Sequence, residues 1–248
     1  MSLRSAHRWT RRGINAWRRL RARLRVKSEN VSPEIQNDLF VAHRAVYGFF
    51  ARFVGGRRVL DLGCGTGYGA RDLLAAGARE IVAVDLDPKN VAYAQRHFES
   101  EGVRFLVADI AALPADLGHF DVAVSSNVFE HLADPERAIR DLEKHLSTGG
   151  TFLMAVPPIT DAGTLALHLD NHFHRSNLFV WDWAELLNRR FDAVRVFRQL
   201  PAPGVKPDFY DPFESRLTVS DFIFEEVIIS RFEEVPALGV VFVCARAS

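Results

Sequence analysis

The sequence predicts an α/β protein in which a doubly wound, mostly parallel sheet carries helices on both faces. Two observations predict it. Short apolar runs of strand length alternate with helical segments over residues 58–156. Several of those runs stop at an acid or a serine, and the first, Val59-Leu60-Asp61-Leu62, opens onto glycines at 63, 65, 67 and 69. Parallel neighbours need a crossover, most often a helix, so the alternation returns each strand in the same direction. Polar groups just past the strand ends then collect on one edge, where open sheets of this class bind ligands.

The elements follow in order. Of 31 basic and 31 acidic side chains, ten basic and no acidic ones lie in residues 1–27, so the rest carries 21 against 31. Arg8, Arg11, Arg12, Arg18, Arg19, Arg21, Arg23 and Arg25 are interleaved with Trp9, Ile14, Trp17, Leu20 and Leu24. That pattern fits a basic amphipathic helix on an anionic membrane, a solvated arm, or an organelle transit segment. Residues 1–31 are therefore separated as an arm from a domain over 32–248. Ser32-Pro33-Glu34 reads as a cap followed by proline at the first helical position, opening an N-terminal helix within 32–56 that closes at Gly55-Gly56. Phe40, Tyr47, Phe49 and Phe50 recur near helical spacing and are expected to bury.

Strands are expected at 58–62, 80–84, 103–108, 120–124 and 150–156, with helices at 68–76, 88–98 and 134–146 between them. Beyond them a helix over 181–190 and strands at 193–198 and 240–245 complete the pattern. Residues 200–232 read as an insertion: Pro201, Pro203, Pro207 and Pro212 make its first part a loop, and 221–230 alternates like an extra strand, with a helix as the alternative. No apolar run is long enough to cross a bilayer and no secretory signal is visible, so the expected location is cytoplasmic, with membrane association through the arm. Cys64 and Cys244 are expected to be reduced and structural.

Two ligands compete for such a glycine turn, a dinucleotide and S-adenosylmethionine. Gly65, Gly67 and Ala70 fit G-x-G-x-x-A, and Asp85 lies where either ligand would offer a ribose. The deciding residue is Asp61, inside the strand and two residues before the first glycine. A negative group there suits a cationic sulfonium and ammonium ligand and disfavours a pyrophosphate.

The ordered motifs then resemble those of the class I S-adenosylmethionine-dependent methyltransferases, especially the branch acting on small molecules and sugars. Val-Leu-Asp-Leu-Gly-Cys-Gly-Thr-Gly (59–67), Val-Ala-Val-Asp-Leu-Asp-Pro (82–88), Val-Ala-Asp-Ile (107–110) and Phe-Asp-Val-Ala-Val-Ser-Ser-Asn-Val-Phe-Glu-His-Leu-Ala-Asp-Pro (120–135) carry the resemblance. Ser147 and Thr148 stand where Lys or Arg and Pro are more usual in the turn before the fifth strand. The resemblance implies a Rossmann-like, seven-stranded sheet with a final antiparallel strand, and S-adenosylmethionine as cofactor. It places Asp61, Gly63, Gly65 and Gly67 around the methionine part, Asp85 on both ribose hydroxyls and Leu86 on the adenine face. Asp109 and Ile110 would read the adenine edge, and Asn127 would lie beside the methyl.

The same resemblance makes His131 and His174 the candidates for a base on the acceptor side. His168, Asp170 and His172 alternate as metal ligands sometimes do, but a loop pattern alone is no metal site and none is expected. The segment Ser125-Ser126-Asn127-Val128 lacks the Asp/Asn-Pro-Pro-aromatic tetrapeptide of amino-directed nucleic-acid methyltransferases, and there is no Pro-Cys pair. The expected acceptor is a small molecule, a sugar or a lipid-linked intermediate, modified at oxygen. Two rival classes stay open: an NAD(P)-dependent oxidoreductase, and a cofactor-binding module without catalysis.

Overall fold

The computed structural model describes residues 31–247 other than Ser32, Tyr210 and Pro212. The basic arm, the Ser32 cap and the loop proline at 212 lie outside the described residues. Eight strands form one sheet: β1 Arg58–Leu62, β2 Glu80–Asp85, β3 Val103–Val107, β4 Phe120–Ser126, β5 Leu146–Val156, β6 Ala193–Pro201, β7 Phe222–Val227 and β8 Gly239–Ala245. Their order is β3-β2-β1-β4-β5-β8-β6-β7. Neighbours from β3 to β5 pair in parallel, whereas β8 runs antiparallel to both β5 and β6. The expected seven strands and antiparallel last strand are present. The eighth, β7, comes from the insertion and pairs antiparallel with β6 along one edge. Glu225 and Glu226 face Arg198 and Arg195 of β6, which leaves charge on an edge that would otherwise template pairing with another chain.

Among the described residues six helices accompany the sheet: α1 Asp38–Phe50, α2 Tyr68–Ala75, α3 Pro88–Phe98, α4 Pro135–Leu142, α5 Ala162–Leu169 and α6 Val180–Asn188. Strand periodicity decides which face each residue serves. Leu60 and Leu62 of β1 join a core with Ile139 and Leu142 of α4 and Trp183 and Leu187 of α6. Val59, between them in register, joins the other core, with Tyr47 and Phe50 of α1, Leu73 of α2 and Val91 of α3. Asp61 follows the same alternation and lies on the α1 face, where the Tyr47 hydroxyl meets it.

Two helix boundaries differ from the sequence expectation, and one helix is additional to it. α1 begins at Asp38, where Asn37 supplies the cap: its Oδ1 accepts from Phe40 N at 3.0 Å, and Pro33 to Ile35 form a turn and bend before it. α4 stops at Leu142, and Leu146, which continues its apolar spacing, belongs to β5. α5 was not expected at all. Its Leu165, Leu167 and Leu169 repeat every second residue, and it buries no side chain, so periodicity carries no helical signal. The helix is set by its start, a capping box in which Thr164 N donates to Asp161 Oδ1 at 2.7 Å and Asp161 N donates to Thr164 Oγ1 at 3.0 Å.

Candidate functional site

Parallel register aligns the carboxyl ends of β1 to β4 on one edge: Asp61 pairs with Ala83, Asp85 with Val107, and Val124 with Leu153. The turn after β1 folds over the end of β2, since Gly63 N and Cys64 N both donate to Val84 O at 2.8 and 2.9 Å. Its glycines have different reasons to be glycine. Gly63, Gly65 and Gly67 all have positive φ (75°, 54° and 85°). A Cβ on Gly63 would meet the Val128 side chain at 2.5 Å, and one on Gly67 would meet Ala94 at 2.7 Å, whereas one on Gly65 would meet nothing within 4 Å. Gly65 is thus the bare backbone of the turn, facing open space.

Asp61 is fully buried, and its two carboxylate oxygens accept from Tyr47 Oη at 3.2 and 3.4 Å. Burial pushes its pKa up to about 7; the Tyr47 hydrogen bond opposes this and the nearby Asp85 charge adds to it. Burial likewise raises the Tyr47 hydroxyl, which stays a donor, and the Cys64 thiol, which stays protonated. Neither cysteine is in a disulfide, and both are buried. Helical spacing predicts that Tyr47 buries but does not reveal that its hydroxyl reaches a strand-end acid.

Asp85 organises the turn from the next strand. Its Oδ2 accepts from Gly65 N at 2.8 Å, and its Oδ1 accepts from Asp87 N at 2.9 Å and Asn90 Nδ2 at 3.1 Å. Three of the roughly four lone-pair positions of a carboxylate are occupied. One oxygen therefore remains ready for a further donor, and a two-pronged grip on a diol requires an internal donor to move. Leu86 beyond it is 70% exposed, and Val107 at the end of β3 is 54% exposed, an apolar pair that sequence reading reduced to Leu86. Asp109 is exposed and caps its own turn, accepting from Ala111 N at 2.8 Å, while Ile110 is buried in the core.

After β4 comes Asn127, the one non-glycine residue with positive φ (54°) among the described residues. Its backbone N donates to Ala155 O at 2.8 Å and its side chain to Ser126 Oγ at 3.3 Å. A short 3-10 turn, Phe129–His131, follows. His131 Nδ1 lies 3.1 Å from Phe173 O, and the His131 and His174 rings are 5.1 Å apart, edge to face. His174 stacks on His168 of α5, with their Nδ1 atoms 3.1 Å apart. The two histidines expected separately thus meet, with His168 and buried Glu130 beside them. His172 is exposed and packs on Phe173 instead.

A methyltransferase-domain family profile matches residues 60–154. A relative from Mycobacterium tuberculosis that carries the name "Probable S-adenosylmethionine-dependent methyltransferase" is 37% identical over 124 residues, 50% of this chain and 44% of that protein. The demethylmenaquinone methyltransferase of Thermus thermophilus is 36% identical over 155 residues, covering 59% of this chain and 69% of that protein. The chain belongs to the class I S-adenosylmethionine-dependent methyltransferases. It spans about half the length of the mycobacterial relative (44%). The methyltransferase fold is seen again in a crystal structure of a SAM-dependent methyltransferase from Thermotoga maritima, with a TM-score of 0.63 at 16% identity over 95% of this chain and 97% of that one.

The cofactor of this methyltransferase family is S-adenosylmethionine, and the donor set suits it. Asp61 lies buried before the turn, Asp85 accepts from Gly65 N, and Leu86 and Val107 leave apolar side chains exposed at the ends of β2 and β3. A pyrophosphate would meet carboxylates where it needs donors.

Proposed function

We propose that this chain transfers the methyl group of S-adenosylmethionine to an oxygen of a small-molecule, sugar or lipid-linked acceptor. The observation that carries the reading is a sealed carboxyl group, Asp61, under a glycine turn whose Gly65 backbone is open. The cofactor supplies a methyl on a sulfonium leaving group, so the protein's share is alignment, exclusion of water and handling of one proton. Asp61 with Gly63, Gly65 and Gly67 holds the methionine part, and its ionisation is favoured when a cationic group docks above it. Asp85 accepts from the ribose, Leu86 covers the adenine face, and Asp109 and the Ile110 backbone read the adenine edge. Asn127 lies beside the methyl. His131 and His174 face the acceptor and receive its hydroxyl proton.

The choice of acceptor is supported by the Thermus relative, whose name assigns it a quinone. Leu167 and Leu169, 39% and 62% exposed on either side of His168, offer apolar surface for such an acceptor. The surplus of acidic over basic side chains outside the arm, 30 against 21, disfavours a phosphate-tracking nucleic-acid surface. No helix among the described residues is long and apolar enough to cross a membrane, so contact with a bilayer would come from the basic arm.

Calorimetry tests the reading. S-adenosylhomocysteine should bind and NAD should not, and Asp85→Ala should weaken the former by roughly 2–4 kcal/mol through lost charge-assisted hydrogen bonds. Binding of NAD without S-adenosylhomocysteine would make the chain an oxidoreductase instead, and binding without methyl transfer to any quinone, sugar or lipid-linked acceptor would leave a non-catalytic module.

A further inference from the structure

Glu130, His131 and His174 each offer a ligand atom, and these atoms all lie within 4.8 Å of one another. Two of the three residues are neighbours in the turn after β4, and the third comes from the loop after α5. The two segments are fastened main chain to main chain: Arg175 N and Ser176 N both donate to Glu130 O, at 2.8 and 2.9 Å, and Ser176 Oγ donates to Leu132 O at 2.5 Å. The ligand set is therefore held by backbone rather than by the side chains themselves. With Phe173 O as its acceptor, His131 Nδ1 carries the proton, so a metal would be met by Nε2. That arrangement, a carbonyl fixing the tautomer of a histidine, is the usual support behind a metal-bound imidazole. His168 stacks on His174 with their Nδ1 atoms 3.1 Å apart, which holds the second imidazole in place. Glu130 is 3% exposed, so its carboxylate is removed from water beside two nitrogen donors.

We propose that Glu130, His131 and His174 bind one divalent transition-metal ion. Two imidazoles and a carboxylate select a borderline ion such as zinc or cobalt(II) over magnesium or calcium, which prefer oxygen. Zinc ligands about 2.1 Å from the ion stand roughly 3.4 Å apart in a tetrahedron, so small side-chain rotations close this set. Three protein ligands leave a coordination position open. Resting on the methyl-transfer reading, that position would take the acceptor oxygen; with the ion bound, it would acidify the acceptor hydroxyl in place of proton transfer to the two imidazoles, and the proton would pass to solvent. The binding itself does not need that reading.

The test uses the full chain without a histidine tag, stripped with EDTA and desalted. Zinc chloride titrated by calorimetry should bind at one ion per chain, and cobalt(II) should give the intense visible bands of a four- or five-coordinate site rather than the weak ones of the hydrated ion. His131→Ala, His174→Ala and Glu130→Gln should each lower zinc affinity at least 100-fold, while His172→Ala should not. S-adenosylhomocysteine binding is measured on every variant, which shows that each is folded and keeps the two readings apart. Metal bound without the cofactor product would sink only the methyl-transfer reading. No saturable binding of zinc or cobalt, a hydrated-ion spectrum, or wild-type affinity in His131→Ala and His174→Ala would overturn the metal site.

Discussion

Sealed beneath Tyr47, the Asp61 carboxyl group resists ionising, and its pKa near 7 has consequences of opposite sign for the empty and the loaded protein. Without ligand, the folded state holds a proton that the unfolded chain has released above its ordinary value of 3.8. The native state then binds more protons than the unfolded state, so stability is full below about pH 4 and is lost as pH rises to about 7. The loss is on the order of 4 kcal/mol, flat above that window. A cationic ligand reverses the preference, because it favours the carboxylate. S-adenosylhomocysteine affinity should therefore rise between pH 6 and 8. Asp61→Asn removes the titrating group while keeping the shape, so the wild-type minus variant difference isolates its contribution. Denaturant melts of both proteins at pH 5 and pH 8 check the first effect, and calorimetry checks the second; parallel pH slopes in the two proteins would remove Asp61 from the account.

At the level of elements, the turn between β1 and α2 makes two demands that substitution separates. Gly69 lies where α1 crosses the start of α2: a Cβ there would stand 2.1 Å from the Tyr47 ring. Gly69→Ala should cost about 1–3 kcal/mol through overpacking, and should disturb Tyr47 over Asp61 as it does so. Gly65→Ala meets no atom within 4 Å and costs only the left-handed backbone, about 1–2 kcal/mol, yet puts a methyl on the open face of the turn. Thermal melts should rank Gly69→Ala as the less stable, while calorimetry with S-adenosylhomocysteine should rank Gly65→Ala as the weaker binder; the same order in both would mean that Gly65 is a structural glycine only. The contrast also explains what was legible beforehand. β1 to β4 announce themselves because each is a short apolar run that ends at Asp61, Asp85, Asp109 or Ser125 and Ser126, and the aligned acids follow from parallel register. α5 does not, since its leucines alternate and bury nothing. α4 looked longer than it is because Leu146 extends its spacing from the next strand. Tyr47 above Asp61, and Glu130 beside His174, are contacts between segments distant in sequence, which no local pattern encodes.

Across the whole molecule, charge is the property least visible in the total. A formal net charge of zero predicts indifference to a charged surface, but ten basic side chains fall in residues 1–27 and none of the 31 acidic ones does. Screening lets a membrane sense local charge rather than the sum over a chain, and each Lys or Arg near an anionic leaflet contributes about 1 kcal/mol. Trp9, Trp17, Leu20 and Leu24 add apolar surface between those charges. The full chain should therefore sediment with vesicles containing phosphatidylserine, release from them as salt is raised, and ignore neutral vesicles. A chain starting at Ser32 should stay in the supernatant, because its 30 acidic side chains outnumber the 21 basic ones that the arm leaves behind. Equal sedimentation of the two would take the membrane out of the proposal and with it the argument for a lipid-linked acceptor, since the apolar surface at Leu167 and Leu169 fits a free quinone as well.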